Sequence, residues 1–308
     1  GMGKMYSFYG DMNKANKYYQ LLLNIKPEYK SVWYSFLAGM NYIADFDQDE
    51  YLKYCKEFNK SASINIENFK QEKSNVTKKV GFLSADFKTH SVSFFLEEVI
   101  KNIGENFELH ALSNLKPSNY DDTTNNLKKS FHHWHELSEY QDENFVKYVR
   151  SLNLDIIIDL CGYTFNNRAD ALRARCAKTQ ITWCGYCNTL GLDNIDYLIS
   201  DPNLIKKNEK NLYSEKILYM PNIWNAMIKP KKLPDIFCNE KKDNTVFTFG
   251  SFNNFKKISN KTIKTWSKIL NNGNCKLVLK NSSSSDGDRV NQILLEKFKK
   301  EKVNLKNI

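Results

Sequence analysis

Apolar positions along the first sixty residues fall at helical intervals. Ala15, Tyr19 and Leu22 succeed one another at i, i+4 and i+7 between Gly10 and Pro27, and two further helices are predicted over 33–43 and 51–58. A small residue at a turn, contacts at those intervals and a proline stop match the second helix of a tetratricopeptide repeat, although a plain helical hairpin fits the same residues. Residues 61–78 are polar and rich in Asn, Lys and Ser, as in a linker. Beyond them the periodicity alternates between two and 3.6. Strands are predicted at 79–84, 107–113, 131–137, 154–160, 180–186, 197–200 and 216–220, and helices at 93–103, 143–151 and 168–176. Such alternation predicts an α/β fold, a doubly wound parallel sheet with helices on both faces.

A polar connection at 229–244 leads to a second unit of the same kind. The run 246–252 reads as a buried strand, and a helix over 259–271 carries Ile263, Trp266, Ile269 and Leu270 on one face. A strand at 275–280, a loop of serines at 282–285 and a helix at 290–300 follow. The resulting organisation is a helical segment at 1–60, a linker at 61–78, a Rossmann-like lobe at 79–235 and the start of a second lobe at 245–308. Two strands and two helices are too few for an independent α/β domain, so the second lobe is expected to be incomplete.

Composition narrows the function. Hydrophobic residues make up 41% of the 308 and aromatics 13%, enough for real cores and against a disordered chain. The net charge of +10 suggests nucleic acid, but only five of the 45 basic residues are Arg and the lysines are spread along the whole chain. Nucleic-acid binders concentrate basic residues on one face, so no nucleic-acid partner is expected. The absence of an 18-residue apolar stretch argues against a membrane span. Seven scattered cysteines suit a reducing cytoplasm better than a disulfide framework.

Candidate chemistry lies where strands give way to helices. A polar turn at 253–257 joins the strand at 246–252 to the helix opening at Ser259. Unpaired N–H groups and the positive end of that helix, with Lys256 and Lys257 beside them, make an anion site suited to phosphate, though an ordinary strand–helix connection has the same pattern. His90 follows the first strand of the sheet on a polar loop, where doubly wound sheets hold their ligands, and is a candidate general base or a surface histidine. The apolar strand at 154–160 ends in a glycine turn carrying Tyr163, Thr164 and Arg168 towards the same sheet edge. Trp183-Cys-Gly-Tyr-Cys187 has redox spacing, but turn-like residues follow it instead of the helix that lowers a catalytic thiol's pKa. Of the histidines at 132, 133 and 135, strand alternation puts only His133 and His135 on one face, which is too few ligands for a metal. Neither a Gly-x-Gly-x-x-Gly nor a P-loop occurs, which argues against nicotinamide and P-loop chemistry.

Several of these segments, in this order, resemble the O-linked N-acetylglucosamine transferase family, including its bacterial and Spindly-like members. The matching stretches are Val80-Gly-Phe-Leu-Ser-Ala-Asp-Phe with His90-Ser-Val, Phe107-Glu-Leu, Asp121-Asp-Thr-Thr and Asp155-Ile-Ile-Ile-Asp-Leu-x-Gly-Tyr-Thr with Arg168. They continue with Gln180-Ile-Thr-Trp-x-Gly-Tyr-x-x-Thr-x-Gly191, Tyr213-Ser-Glu-Lys and Phe247-Thr-Phe-Gly-Ser-Phe-Asn-Asn-x-x-Lys257. The resemblance implies a GT-B architecture and an inverting glycosyltransferase. Such an enzyme moves GlcNAc from UDP-GlcNAc, or a related nucleotide sugar, onto Ser or Thr of acceptor proteins or peptides, with no metal and no cofactor beyond the sugar donor.

By the same resemblance, His90 matches a histidine proposed as base or acceptor-orienting group, and Lys257 a lysine that binds the diphosphate. Asn254 falls where a polar side chain contacts the donor, Thr164 and Arg168 towards the acceptor, and Cys184, Gly185, Tyr186 and Cys187 in the loop beside the sugar; Tyr163 and Thr189 are further substrate-binding candidates. Cys184 and Cys187 depart from the family's Leu or Met and Pro, which opens the question of sugar preference. The family's downstream Gly- and Thr-rich helix start does not occur before Ile308, so the isolated chain is expected to turn over weakly or not at all. Two alternatives share these features: the same family with another donor or acceptor (glucose to Asn, fucose from GDP-fucose), and a non-catalytic repeat-bearing interaction module.

Overall fold

The computed structural model describes residues 1–61, 64, 66–70, 76–227, 246–280 and 287–308. The connection expected at 229–244 and the serine loop at 282–285 lie outside the described residues, as do 62, 63, 65 and 71–75 of the linker. The chain forms two compact units, Gly1–Lys26 with Ala38–Phe46 and Lys232–Ile308, and Pro27–Leu37 with Asp47–Lys231.

The helices expected in the first sixty residues are α1 (Met2–Phe8), α2 (Met12–Ile25), α3 (Lys30–Met40) and α4 (Gln48–Lys60). Gly10, at φ +76°, turns the chain between α1 and α2, and Asp11 caps α2 by accepting the N–H of Lys14. Asp47 caps α4 in the same way through Glu50.

The second of these units is built on β1 (Lys78–Ser84), β2 (Phe107–Ser113), β3 (His133–Glu136), β4 (Ile156–Asp159), β5 (Thr179–Thr182), β6 (Tyr197–Ser200) and β7 (Lys216–Tyr219). Their order is β3-β2-β1-β4-β5-β6-β7, every pair parallel, as in a doubly wound Rossmann-like sheet. Crossovers run through α5 (Ser91–Asn102), α6 (Asp122–Lys128), α7 (Asp142–Ser151) and α8 (Ala169–Arg173). Side chains alternate along the strands: Val80, Phe82, Leu109 and Ala111 form one core with Val92, Leu96 and Ile100 of α5 and Leu127 of α6. Their neighbours Leu83 and Leu112 are equally buried on the opposite face.

Two elements depart from the expected pattern. The helix α6 was not foreseen, although Asp121 and Thr124 form a complete capping box at its start. The strand expected over 180–186 stops at Thr182, because Cys184 takes φ +62° and bends the chain out of the sheet.

The helix α4 packs directly onto this lobe. The Tyr51 hydroxyl donates to the carbonyl of Thr189 at 3.0 Å and accepts from the Tyr186 hydroxyl at 2.7 Å. Gln48 Nε2 donates to Asn188 Oδ1 and to the Leu212 carbonyl. The Arg173 guanidinium lies over the Phe58 ring, 4.6 Å from its centroid, and donates to the carbonyls closing α4. Gly191, at φ +62°, lies so close to Cys55 that a Cβ there would come within 2.3 Å of the cysteine Cβ.

In the other unit, β8 (Phe247–Ser251) and β9 (Cys275–Leu279) form a parallel pair with α9 (Asn260–Asn272) and α10 (Gly287–Lys300). Ile258, Ile263, Leu270, Leu277, Leu294 and Phe298 make its core. The expectation of a buried strand at 246–252 is not met: Phe247 is 65% and Phe252 70% exposed. Among the described residues β8 pairs only with β9, so no strand on its other edge helps to bury its apolar side chains.

Candidate functional site

The strand order reverses between β1 and β4, so the loops leaving their carboxyl ends flank the crevice in which open α/β sheets bind ligands. His90 ends the loop after β1. Its backbone is extended, and its Nδ1 accepts the N–H of Val92 at 3.3 Å, so the imidazole is the N-cap of α5. Asp86 Oδ2 lies 3.8 Å from the same nitrogen. Because Nδ1 is used as an acceptor, the neutral ring carries its proton on Nε2.

Asp121 fixes this loop from the side. It accepts the N–H of Thr89 at 2.8 Å and that of Thr124 at 3.0 Å, while Thr89 and Thr123 share a hydroxyl contact. Burial works against the Asp121 charge, but the Thr89 and Thr124 donors outweigh it and hold the carboxyl down at about 2.

The glycine turn after β4 closes on Asp159, whose oxygens accept the N–H groups of Cys161 and Gly162 at 3.1 and 2.8 Å. Burial raises Asp159 to about 7, and those two N–H groups offset only part of that effect. The Ala85 N–H donates to Cys161 Sγ, joining this turn to the β1 loop.

Thr164 turns its hydroxyl back onto the Cys161 carbonyl at 2.8 Å. Tyr163 is buried, donates to the Leu190 carbonyl and packs against Tyr34, Phe58 and Tyr186. Arg168 is buried as well. Its donors are taken by Asn114 Oδ1 at 3.0 Å, Asp142 Oδ1 at 2.8 Å and the Leu137 carbonyl at 2.8 Å. It therefore ties together the chain leaving β2, the chain leaving β3 and the start of α7.

The loop after β5 presses onto the same turn. Gly185 sits where a Cβ would fall 1.7 Å from the Leu160 carbonyl oxygen, and a Cβ on Gly162 would meet the Tyr186 side chain at 2.4 Å. Tyr186 is half-buried between Tyr163 and Tyr51. Thr189 points inward: its hydroxyl donates to Glu215 Oε2 at 2.6 Å, and Glu215 Oε1 accepts the Leu190 N–H at 2.7 Å. Burial pushes the Glu215 carboxyl up.

Asn254 and Lys257 lie in the other unit. Asn254 caps a single 3-10 turn, Phe255–Lys257, by accepting the Lys256 N–H at 3.1 Å. Lys257 is exposed, and among the described residues its amine has no partner. Lys256 is the more engaged of the two: its amine contacts Ser7 Oγ at 3.3 Å, and burial lowers its pKa. A cavity of about 460 Å³ opens beside this turn, lined by Tyr9, Asp11, Tyr42, Lys256, Ser259 and Lys297 among others. Ser259 caps α9 through the Thr262 N–H.

Seven of the nine candidate residues thus lie on loops leaving β1, β4 and β5, with His90 the side chain among them most open to a ligand. Tyr163, Arg168 and Thr189 face inward and hold the loops in place. Asp86, Asp121 and Asp159 complete the site and were not singled out from sequence, although the Asp121 capping box was visible there. The Cys184 thiol is buried and pushed up by that burial, so it lacks the low pKa of a redox thiol. Among the described residues no helix is long and apolar enough to cross a membrane.

A model of glycosyl transferase family 41 matches residues 53–232, more than half of the chain. Over 257 residues the chain is 28% identical to a probable UDP-N-acetylglucosamine–peptide N-acetylglucosaminyltransferase SPINDLY of Solanum lycopersicum, covering 80% of this chain and 27% of the relative. The Arabidopsis thaliana SPINDLY is 26% identical over 262 residues, covering 80% and 28%. The chain therefore spans about a quarter of the length of these curated relatives. A solved structure of a Thermobaculum terrenum O-GlcNAc transferase mutant shares the fold with a TM-score of 0.85 at 21% identity, covering 98% of this chain and 58% of that one.

Proposed function

The chain belongs to glycosyl transferase family 41, and on that premise we propose that it forms part of an inverting enzyme transferring GlcNAc from UDP-GlcNAc to Ser or Thr of cytoplasmic proteins. The observation that carries this reading is positional. His90 and Lys257 each follow the carboxyl end of a parallel strand, β1 and β8, immediately before a capped helix, α5 and α9.

In this proposal the acceptor hydroxyl oxygen attacks the anomeric carbon while the bond to the diphosphate breaks, its electron pair leaves with the phosphate, and the hydroxyl proton passes to an oxygen of the departing diphosphate. The exposed Lys257 amine and the N-terminal amides of α9 offset the charge that develops there. His90 meets the acceptor through Nε2. With Nδ1 committed to Val92, the neutral ring offers a donor that orients the hydroxyl oxygen rather than a lone pair that removes its proton.

Titration of the full-length protein with UDP, UDP-GlcNAc, UDP-glucose and GDP-fucose, followed by thermal stability and label transfer to a Ser/Thr peptide, tests the reading. UDP-GlcNAc and UDP are expected to raise the Tm by mass action, with label appearing on peptide only from UDP-GlcNAc. Exclusive transfer from GDP-fucose or UDP-glucose would replace the donor, and no nucleotide effect at all would leave an interaction module.

A further inference from the structure

We propose that Glu108, His110 and His133 form a binding site for a divalent transition-metal ion of the Zn²⁺ class on the outer edge of the seven-stranded sheet, independent of sugar transfer. The register of β2 and β3 places His110 opposite His133, and Glu108, two residues before His110, shares their face. The Nε2 atoms of His110 and of His133 each lie 3.1 Å from Glu108 Oε1. The three ligand atoms all fall within 4.8 Å of one another. Tetrahedral ligands at bond lengths of about 2.0–2.2 Å lie roughly 3.3 Å apart, so the ion needs little rearrangement of these atoms.

A second layer of groups sets the imidazole tautomer. His110 Nδ1 is 3.0 Å from His135 Nε2, and His135 Nδ1 is 2.9 Å from the Tyr148 hydroxyl. When His110 donates to His135 and His135 donates to Tyr148, the Nε2 lone pair of His110 faces the ion, as in other His–metal centres. The His133 side chain is 50% exposed, which gives an ion access from solvent. Two imidazoles and a carboxylate suit Zn²⁺, with Co²⁺ as its spectroscopic substitute. The opposing charge is Lys79, whose amine is 3.9 Å from Glu108 Oε1 on the adjacent strand. Without an ion, Glu108 pairs with Lys79 of β1 and contacts His110 and, across to β3, His133.

The test uses the chelator-stripped protein with its accessible thiols, exposed Cys187 among them, alkylated so that thiolates do not compete. Titration with Zn²⁺ by calorimetry and with Co²⁺ by visible absorption should show one ion per chain and a Tm that rises with Zn²⁺. His133→Ala and Glu108→Gln should each weaken binding by about tenfold or more, and Lys79→Met should tighten it. Circular dichroism establishes that the variants fold. The absence of saturable binding, or binding untouched by both ligand substitutions, would overturn the proposal.

Discussion

The Nδ1 of His90 accepts the backbone N–H of Val92 at 3.3 Å, so one imidazole both ends a loop of the crevice and starts a helix. The two roles separate by substitution. His90→Asn retains a good helix cap and should leave stability within a few tenths of a kcal/mol while, on the proposed function, reducing the transferase kcat of the full-length protein. His90→Ala loses the cap too and should cost about 1 kcal/mol in addition. Denaturant unfolding alongside peptide glycosylation distinguishes the two effects, and an Asn variant with normal kcat would remove His90 from the chemistry.

Asp121 holds the residue next to His90, so Asp121→Ala should act on catalysis through position. It removes the α6 cap and the Thr89 tether together, a loss of about 1–2 kcal/mol by the usual value of such bonds. On the proposed function, the expected kinetic mark is a lower kcat at nearly unchanged KM for the nucleotide sugar. Asp121→Asn keeps one acceptor oxygen, so it should recover the α6 cap but not the Thr89 tether, where its NH2 would meet another N–H donor.

Asp159 gives the fold a pH dependence of definite sign. Its carboxyl titrates at about 7 in the folded protein and at about 4 in an unfolded chain. Below about 4 both states hold the proton and the group contributes nothing. Between those values the folded state retains a proton that the unfolded state has released, so stability falls as pH rises, and the penalty is complete above about 7. Asp159→Asn should flatten that part of the curve, measured as the difference between variant and wild type in urea unfolding from mildly acidic to neutral pH.

Arg168→Ala should destabilise by on the order of 3 kcal/mol, since it leaves Asn114, Asp142 and the Leu137 carbonyl without their shared donor. Arg168→Lys should recover little, because one ammonium cannot reach three acceptors in separate directions.

Gly185→Ala tests the packing of the loop after β5. The new methyl would overlap the Leu160 carbonyl oxygen, so the loop must move, at a cost of about 1–3 kcal/mol. A variant with unchanged unfolding midpoint would show that the loop is not held against that strand end.

Much of this architecture was legible because its signals are local. The strand at Phe107–Ser113 and the helix of α9 follow from periodicity, and the crevice follows from the alternation of elements. What was not legible depends on partners distant in sequence. The exposure of Phe247 depends on what lies beside β8, which no pattern within the strand contains. His133 and His135 looked like an isolated pair because the register with β2, which adds His110 and Glu108, is a property of the folded sheet. Tyr163, Arg168 and Thr189 stood out as polar residues on loops. Their inward orientation came from Leu190, Asp142 and Glu215, each supplied by a different segment of the chain.

The pairing of Tyr51 with Thr189 and Tyr186 bears on how the protein is cut for expression. A fragment starting at β1 would seem a natural Rossmann domain, yet it would strip the floor from beneath the loop that follows β5. Gly191 would face empty space where Cys55 had been, and Arg173 would lose the carbonyls that anchor it. Such a fragment is expected to aggregate or to lose the shape of that loop, and the first safe boundary lies upstream of Pro27, because Tyr34 also packs on Tyr163.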